Sequence, residues 1–188
     1  MVAGGPRATM GDALRLSPKA QSGTGVAYRM GDTVVHPQHG VATVQGIVTK
    51  GVGKGRTRFL QLVFASASLK ILVPVDSIDA VGIRALPTKR EAAAILAVLA
   101  RPSDVPETWS ERTASTSSRV KSRELAQAAM VVRDLTRHIR RSGKPLSSSE
   151  NAVLQTCLNS VSSELSLVWD ISHDDARAVV LEQARAEE

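Results

Sequence analysis

The feature that most constrains the fold of this 188-residue chain is a change of hydrophobic period at Pro87. Before it, apolar residues come in short β-branched runs: TVVH (33–36), GVATVQGIVT (40–49), TRFLQLVFA (57–65) and LKILVP (69–74). Turn signals separate them, at Pro37 to Gly40, in GVGKG (51–55) and in ASAS (65–68). A last short strand is expected around Ile78–Val81, ending at Gly82. Several strands with no intervening helix predict a small antiparallel barrel or strongly curled sheet.

After Pro87 the period becomes helical. Thr88-Lys-Arg-Glu91 has capping-box spacing and opens a helix carrying Ala92, Ile95, Leu96 and Leu99 on one face, ending before Pro102. A longer helix is expected over about 123–141, with Leu125, Ala129, Val132, Leu135 and Ile139 spaced by threes and fours. Ser147-Ser-Ser-Glu150 opens a third through Leu154, Leu158, Val161, Leu165 and Val168, and Ser172 opens a last one. The Ser/Thr-rich stretch 103–122 is intrinsically a weak helix former. The fold class is therefore α+β, with a small antiparallel β module before an all-helical module of about five helices. The expected division is 1–27 as a disordered extension, 28–86 as the β module and 87–188 as the helical module.

Composition narrows the function classes. No apolar run approaches the roughly 18–20 residues a membrane span needs, and no h-region marks a signal peptide. Cys157 is the sole cysteine, so no internal disulfide can form, which fits a cytoplasmic protein. The net charge of +6 is unevenly placed. Residues 112–144 hold nine basic side chains against two acidic ones, whereas 145–188 hold two against eight. The basic segment fits either a polyanion contact or a solvated helix face.

Candidate chemistry is sparse. GVGKG lacks the order G-x-x-x-x-G-K-[ST] and sits between strands, so a hairpin loop is expected over a nucleotide site. His36 and His39 flank Pro37 with no nearby third ligand, which predicts turn residues and no metal. Cys157 lies on an apolar helix face and reads as an inert core thiol. No catalytic constellation stands out, and no cofactor is expected. Trp109, within DVPETWSERTAST (104–116), has no apolar neighbour closer than Val105. Either a distant element covers the indole or the ring is left out for a partner.

The stretch YRMGDTVVHPQHGVATVQGI (28–47) resembles the opening of the CarD/CdnL family of bacterial RNA polymerase-binding transcription regulators. Gly31, Asp32, Val34, Val35, Pro37, His39 and Gly40 match its pattern. Further similarity runs through Val73-Pro74, TWS (108–110), VVRDL (131–135), LSSSE (146–150) and EL (164–165). The resemblance implies a Tudor-like, SH3-like barrel at 28–86 that docks on the polymerase β subunit, with Lys50, Lys70, Leu72 and Pro74 as candidate contacts. It implies a helical module at 87–188 lying on promoter DNA at the upstream edge of the transcription bubble. There Trp109 would wedge into the minor groove, with Arg112, Arg119, Lys121 and Arg123 contacting phosphates with little base specificity, and the open complex would be stabilised. A non-enzymatic monomer, associated with the nucleoid through polymerase and with no membrane partner, is the expected form. The alternative is a polymerase-tethered adaptor whose helices bind another protein.

Departures from the family pattern mark a divergent paralogue. Thr113 and Ala114 stand where aromatic and basic residues are common, Asn151 and Ala152 where basic ones are, and Leu72 where an arginine often is. Family members typically begin near the position of Val26. Residues 1–25 then read as a misassigned start or a disordered arm carrying Arg7, Arg15 and Lys19, which intact mass distinguishes.

Overall fold

The computed structural model describes residues 28–52, 55–64, 69–103, 105–106 and 108–186. The extension assigned to 1–27, the Lys54 tip of the GVGKG loop and the ASAS turn lie outside the described residues. The chain divides into two compact units, Met1–Leu86 and Pro87–Glu188.

Among the described residues the first unit is built on five strands: β1 (Thr33–His36), β2 (Gly40–Val52), β3 (Gly55–Phe64), β4 (Leu69–Pro74) and β5 (Arg84–Ala85). They form an antiparallel sheet in the order β4-β3-β2-β1-β5. Alternation turns Leu60, Leu62 and Phe64 of β3 to one face, where they bury with Tyr28, Val34, Ala42, Val44, Val73, Ile78 and Ile83. The alternation of β2 is broken by a bulge between Val44 and Gly46. Gly46 has φ of 137°, a conformation that side chains rarely tolerate. Val44 faces the core opposite Leu62, but Gly46, Val48 and Lys50 pair with Gln61, Phe59 and Thr57 on the outer face.

One expectation needs correction and one is met only in part. Ile78–Val81 is a short helix, α1, and the final strand is Arg84–Ala85. One buried anchor, Ile78, satisfies either period in so short a run, and Gly82 at φ 84° closes the turn by donating to the Ile78 and Asp79 carbonyls. The second concerns closure. Among the described residues β4 and β5 remain the two edges of an open sheet, because the two-residue β5 pairs with β1 alone.

Among the described residues the second unit has five helices: α2 (Lys89–Ala100), α3 (Trp109–Ser122), α4 (Leu125–Ser142), α5 (Ser148–Trp169) and α6 (His173–Arg185). Both expected capping boxes form, at Thr88 with Glu91 and at Ser147 with Glu150, and Ser172 caps α6. The core joins Ala92, Ile95 and Leu99 of α2 to Leu125, Ala129, Val132 and Leu135 of α4. Leu154, Leu158, Val161, Leu165 and Val168 of α5 and Val180 and Ala184 of α6 complete it. Ile139, expected on the apolar face of α4, is instead exposed. The weakly helical stretch does form α3, but its one buried side chain is Arg112. Polar contacts therefore hold α3 where hydrophobic burial holds the other four.

Candidate functional site

Trp109 is the first residue of α3, immediately after its cap. The Thr108 hydroxyl accepts from the Glu111 backbone N–H (3.4 Å) and donates to the Glu111 carboxylate (2.6 Å). The indole is 56% exposed, and no distant element among the described residues covers it. At 3.6 residues per turn, Thr113, Thr116 and Val120 lie within about 40° of Trp109 around the helix. Trp109, Thr113 and Val120 are all exposed, giving one open face of an aromatic ring, hydroxyls and a small apolar end. The i, i+4, i+7, i+11 spacing of that face was visible in the sequence, where only Trp109 was singled out.

The predicted basic partners separate into three environments. Arg112 points inward: its Nε donates to Glu150 Oε1 (3.3 Å) and its Nη1 to the Pro106 carbonyl (3.3 Å). This places it under the first turn as a bracket between α3, the preceding loop and the start of α5, and not on the exposed face. Glu150 is held below the usual carboxylate range, since bonds from the Ser147 hydroxyl and backbone N–H and from Arg112 outweigh the opposing effect of burial. His138 beside this pair is lowered, first by burial and then by the Arg112 charge. Arg119 faces α4 and pairs with Asp134, which also takes the Arg133 Nε at 2.7 Å. Only Lys121 and Arg123 are exposed, at the far end of α3. Twelve residues at about 1.5 Å each put Lys121 roughly 18 Å along the helix from Trp109.

Four of the nine basic side chains of 112–144, the buried Arg112, Arg133 and Arg137 and the half-buried Arg119, are thus turned toward the protein, which neither sequence reading anticipated, while Lys121, Arg123, Arg140, Arg141 and Lys144 stay exposed. Arg137, 1% exposed, donates to the Leu99 (3.0 Å), Arg101 (2.6 Å), Ala184 (3.0 Å) and Ala186 (2.5 Å) carbonyls. One guanidinium therefore caps the C-terminal ends of α2 and α6, where the helix dipoles favour a cation. Arg133 reaches the Val98 carbonyl, Arg140 that of Arg185 and Arg141 that of Ser103. A run of arginines on one helix does not reveal in sequence that two helix ends will converge on it.

In the first unit, Lys50, Lys70, Leu72 and Pro74 share the outer face of the sheet. Lys70, Leu72 and Pro74 alternate along β4 opposite Val63, Gln61 and Phe59, and Lys50 stands opposite Thr57. The two lysines are exposed, while Leu72, Pro74, Phe59 and Val48 are half-buried, an apolar strip with a cation toward each end. Gln61 Nε2 donates to Gln45 Oε1 across this face (3.2 Å). Beyond β4 no further strand pairs among the described residues. Val48 was not singled out in the sequence because the bulge hides which face it takes; Phe59 stands opposite it on β3.

The His36 and His39 rings lie 4.8 Å apart against Phe64 in the turn between β1 and β2, and no metal-ligand cluster occurs among the described residues. GVGKG joins two antiparallel strands, with Val52 opposite Gly55, a geometry without the helix N-terminus a phosphate loop needs. Burial pushes the Cys157 thiol up to about 11. No helix among the described residues is long and apolar enough to cross a membrane.

Two family models match, the CarD-like/TRCF RID domain over residues 28–86 and the CarD C-terminal domain over 94–181. A relative from Bacillus subtilis (strain 168), named "Putative transcription factor YdeB", is 23% identical over 152 residues. That match covers 80% of this chain and 98% of the relative. Both modules of the family are present, in order, on a strand unit followed by a helical one: the chain belongs to the CarD-like family.

Proposed function

We propose that this chain is a non-enzymatic regulator of transcription initiation that stabilises the open promoter complex. Membership in the CarD-like family and the transcription-factor name of its relative support the regulator class. The strand unit, read as a Tudor-like module, docks on the polymerase β subunit through the outer face bearing Lys50, Lys70, Leu72 and Pro74. The unpaired edge of β4 beside that face offers backbone donors and acceptors to an added strand. The helical unit then seats Trp109 in the minor groove at the upstream edge of the bubble.

The observation that carries the proposal is the exposed indole fixed at the start of α3 by the Arg112–Glu150 pair. Burying a tryptophan covers about 150–250 Å². Covering the half still open recovers roughly 2–3 kcal/mol at about 25 cal/mol per Å². That matches the few kcal/mol that unstacking a base step costs, so the ring offsets the strain of an edge already splayed and slows its reclosure. Lys121 and Arg123 reach phosphates about five base-pair rises away, at 3.4 Å per rise. Arg119 adds to the local positive potential from its pairing with Asp134, and Arg112 acts by positioning the ring. Contacts of this kind read little sequence, and no cofactor or second copy enters the reading.

The test is promoter opening by the cognate polymerase, followed with a fluorescent base in the bubble, for wild type and Trp109→Ala. Wild type should lengthen the open-complex lifetime, and the variant should bind polymerase without doing so. Equal behaviour of the two refutes the wedge. A second reading, a polymerase-tethered adaptor whose helices bind a protein, is favoured by the commitment of Arg112, Arg119, Arg133 and Arg137 to internal partners. Full-length protein with no salt-dependent affinity for forked DNA would select it.

A further inference from the structure

The β2–β3 hairpin extends past the rest of its sheet. β1 pairs with β2 only over residues 40–43, and β4 pairs with β3 only over 59–64. Among the described residues, Thr49–Val52 and Gly55–Arg58 are therefore paired with each other alone, as a two-stranded ribbon. Between Asp32 and Asp76 the sequence has no acidic residue, against Lys50, Lys54, Arg56, Arg58 and Lys70.

The ribbon has two unlike faces. Lys50 and Thr57 continue the outer face with Phe59 and Gln61, whereas Arg58 opposite Thr49 and Arg56 opposite Gly51 continue the core-bearing face beyond the core. Past Leu60, which is fully buried, that face is open among the described residues: Ile47 is 40% exposed, and Thr49, Arg56 and Arg58 are exposed. Among the described residues neither arginine has an acidic partner.

We propose that this face of the ribbon, with Arg56 and Arg58 as its contacts and Thr49 beside them, binds the phosphate backbone of duplex DNA. The site is distinct from the outer face and from Trp109. Two residues along a strand advance about 6.8 Å, which is two rises of 3.4 Å on one DNA strand, so both guanidiniums can address phosphates of a single strand. A two-stranded ribbon is narrow enough for a major groove about 12 Å wide. A protein partner fits less well, because interface centres rely on buried aromatic anchors. Here the apolar contribution is Ile47 alone, and Phe59 faces the other way. The composition implies contact without base readout, in which the strand unit holds duplex DNA while its outer face is occupied.

Full-length protein, titrated with a fluorescein-labelled 30-bp duplex across a salt series, tests this by anisotropy. Arg56→Ala/Arg58→Ala should flatten the slope of log K against log salt by about 1.8, two contacts at about 0.9 each, and weaken binding tens-fold near 0.1 M. Arg56→Lys/Arg58→Lys should keep most of the slope, and thermal unfolding should show all three proteins folded alike. Trp109→Ala, which removes no charge, should leave the slope in place, so this site and the wedge can fail separately. The proposal is overturned if wild type does not bind the duplex, or if the double alanine variant keeps the wild-type slope. Loss of polymerase affinity with an unchanged DNA slope would overturn it too, marking the ribbon as a protein contact.

Discussion

Replacing Arg112 by Met asks whether α3 is held by one ion pair. The Arg112 and Glu150 side chains are 9% and 7% exposed, so the substitution leaves a carboxylate out of water with its cation gone. Breaking a buried pair from one side costs about 3–5 kcal/mol, most of it the penalty on the orphaned charge. Here Ser147 still donates to Glu150 Oε2 through its backbone N–H (3.0 Å) and hydroxyl (2.7 Å), which places the expected loss at the low end, about 3 kcal/mol. Glu150→Gln preserves the capping box, since glutamine accepts at the same position, but leaves the guanidinium buried. The double variant Arg112→Met/Glu150→Gln removes both charges and should regain more than half of the loss. Urea unfolding of the four proteins, closed as a double-mutant cycle, should give a coupling energy above about 1.5 kcal/mol. A single-variant loss under about 0.5 kcal/mol, or additive single losses, would refute the assignment of Arg112 as the bracket beneath Trp109.

Other outcomes follow from the same geometry. Trp109→Ala should change the unfolding free energy by less than about 0.5 kcal/mol, because an exposed ring contributes little to the fold; a larger loss by denaturant titration would mean the indole packs. Arg137→Met should cost more than about 4 kcal/mol, since several buried carbonyls lose a charged donor at once; circular dichroism melting of the variant reads this directly. Glu150 has its folded-state affinity for protons lowered, so its contribution is fully present above the ordinary carboxylate range and lost as pH falls through its folded value. The urea midpoint of wild type should therefore drop on acidification more steeply than that of Glu150→Gln. Cys157, buried and with its thiol raised to about 11, should stay unreactive toward a disulfide reagent at neutral pH until urea unfolds the helices.

What was legible in the sequence was set by how local the signal is. The caps at Thr88, Ser147 and Ser172 are fixed by hydrogen bonds spanning three residues, and each forms where its spacing placed it. The strands Thr33–His36 and Leu69–Pro74 likewise follow their β-branched runs. The run Ile78–Val81 failed because four residues fit either period. Sheet closure depends on pairing between segments far apart in the chain, which no local pattern encodes. The candidate site divides in the same way. An exposed Trp109 is consistent with its polar surroundings, but the inward turn of Arg112 and Arg119 depends on Glu150 and Asp134, 38 and 15 residues away. The charge count of 112–144 overstates the exposed charge, because the partners that bury Arg112, Arg133 and Arg137 leave no trace in composition.

The bulge at Gln45–Gly46 acts on parity. A strand sorts its side chains into odd and even, and one extra residue exchanges the two sets for everything downstream. Upstream of it β2 serves the core with Ala42 and Val44; downstream, the even positions Val48 and Lys50 look outward and the odd positions Ile47 and Thr49 look the other way. Flattening the bulge, with Gln45 kept as an ordinary strand residue, would restore a single parity along the strand. Lys50 would then cross to the side of Arg56 and Arg58, leaving the apolar strip without the cation at its end. The bulge thus decides which of the ribbon's two surfaces carries Lys50, so related chains of equal length that form it or flatten it present the same side chains on opposite faces.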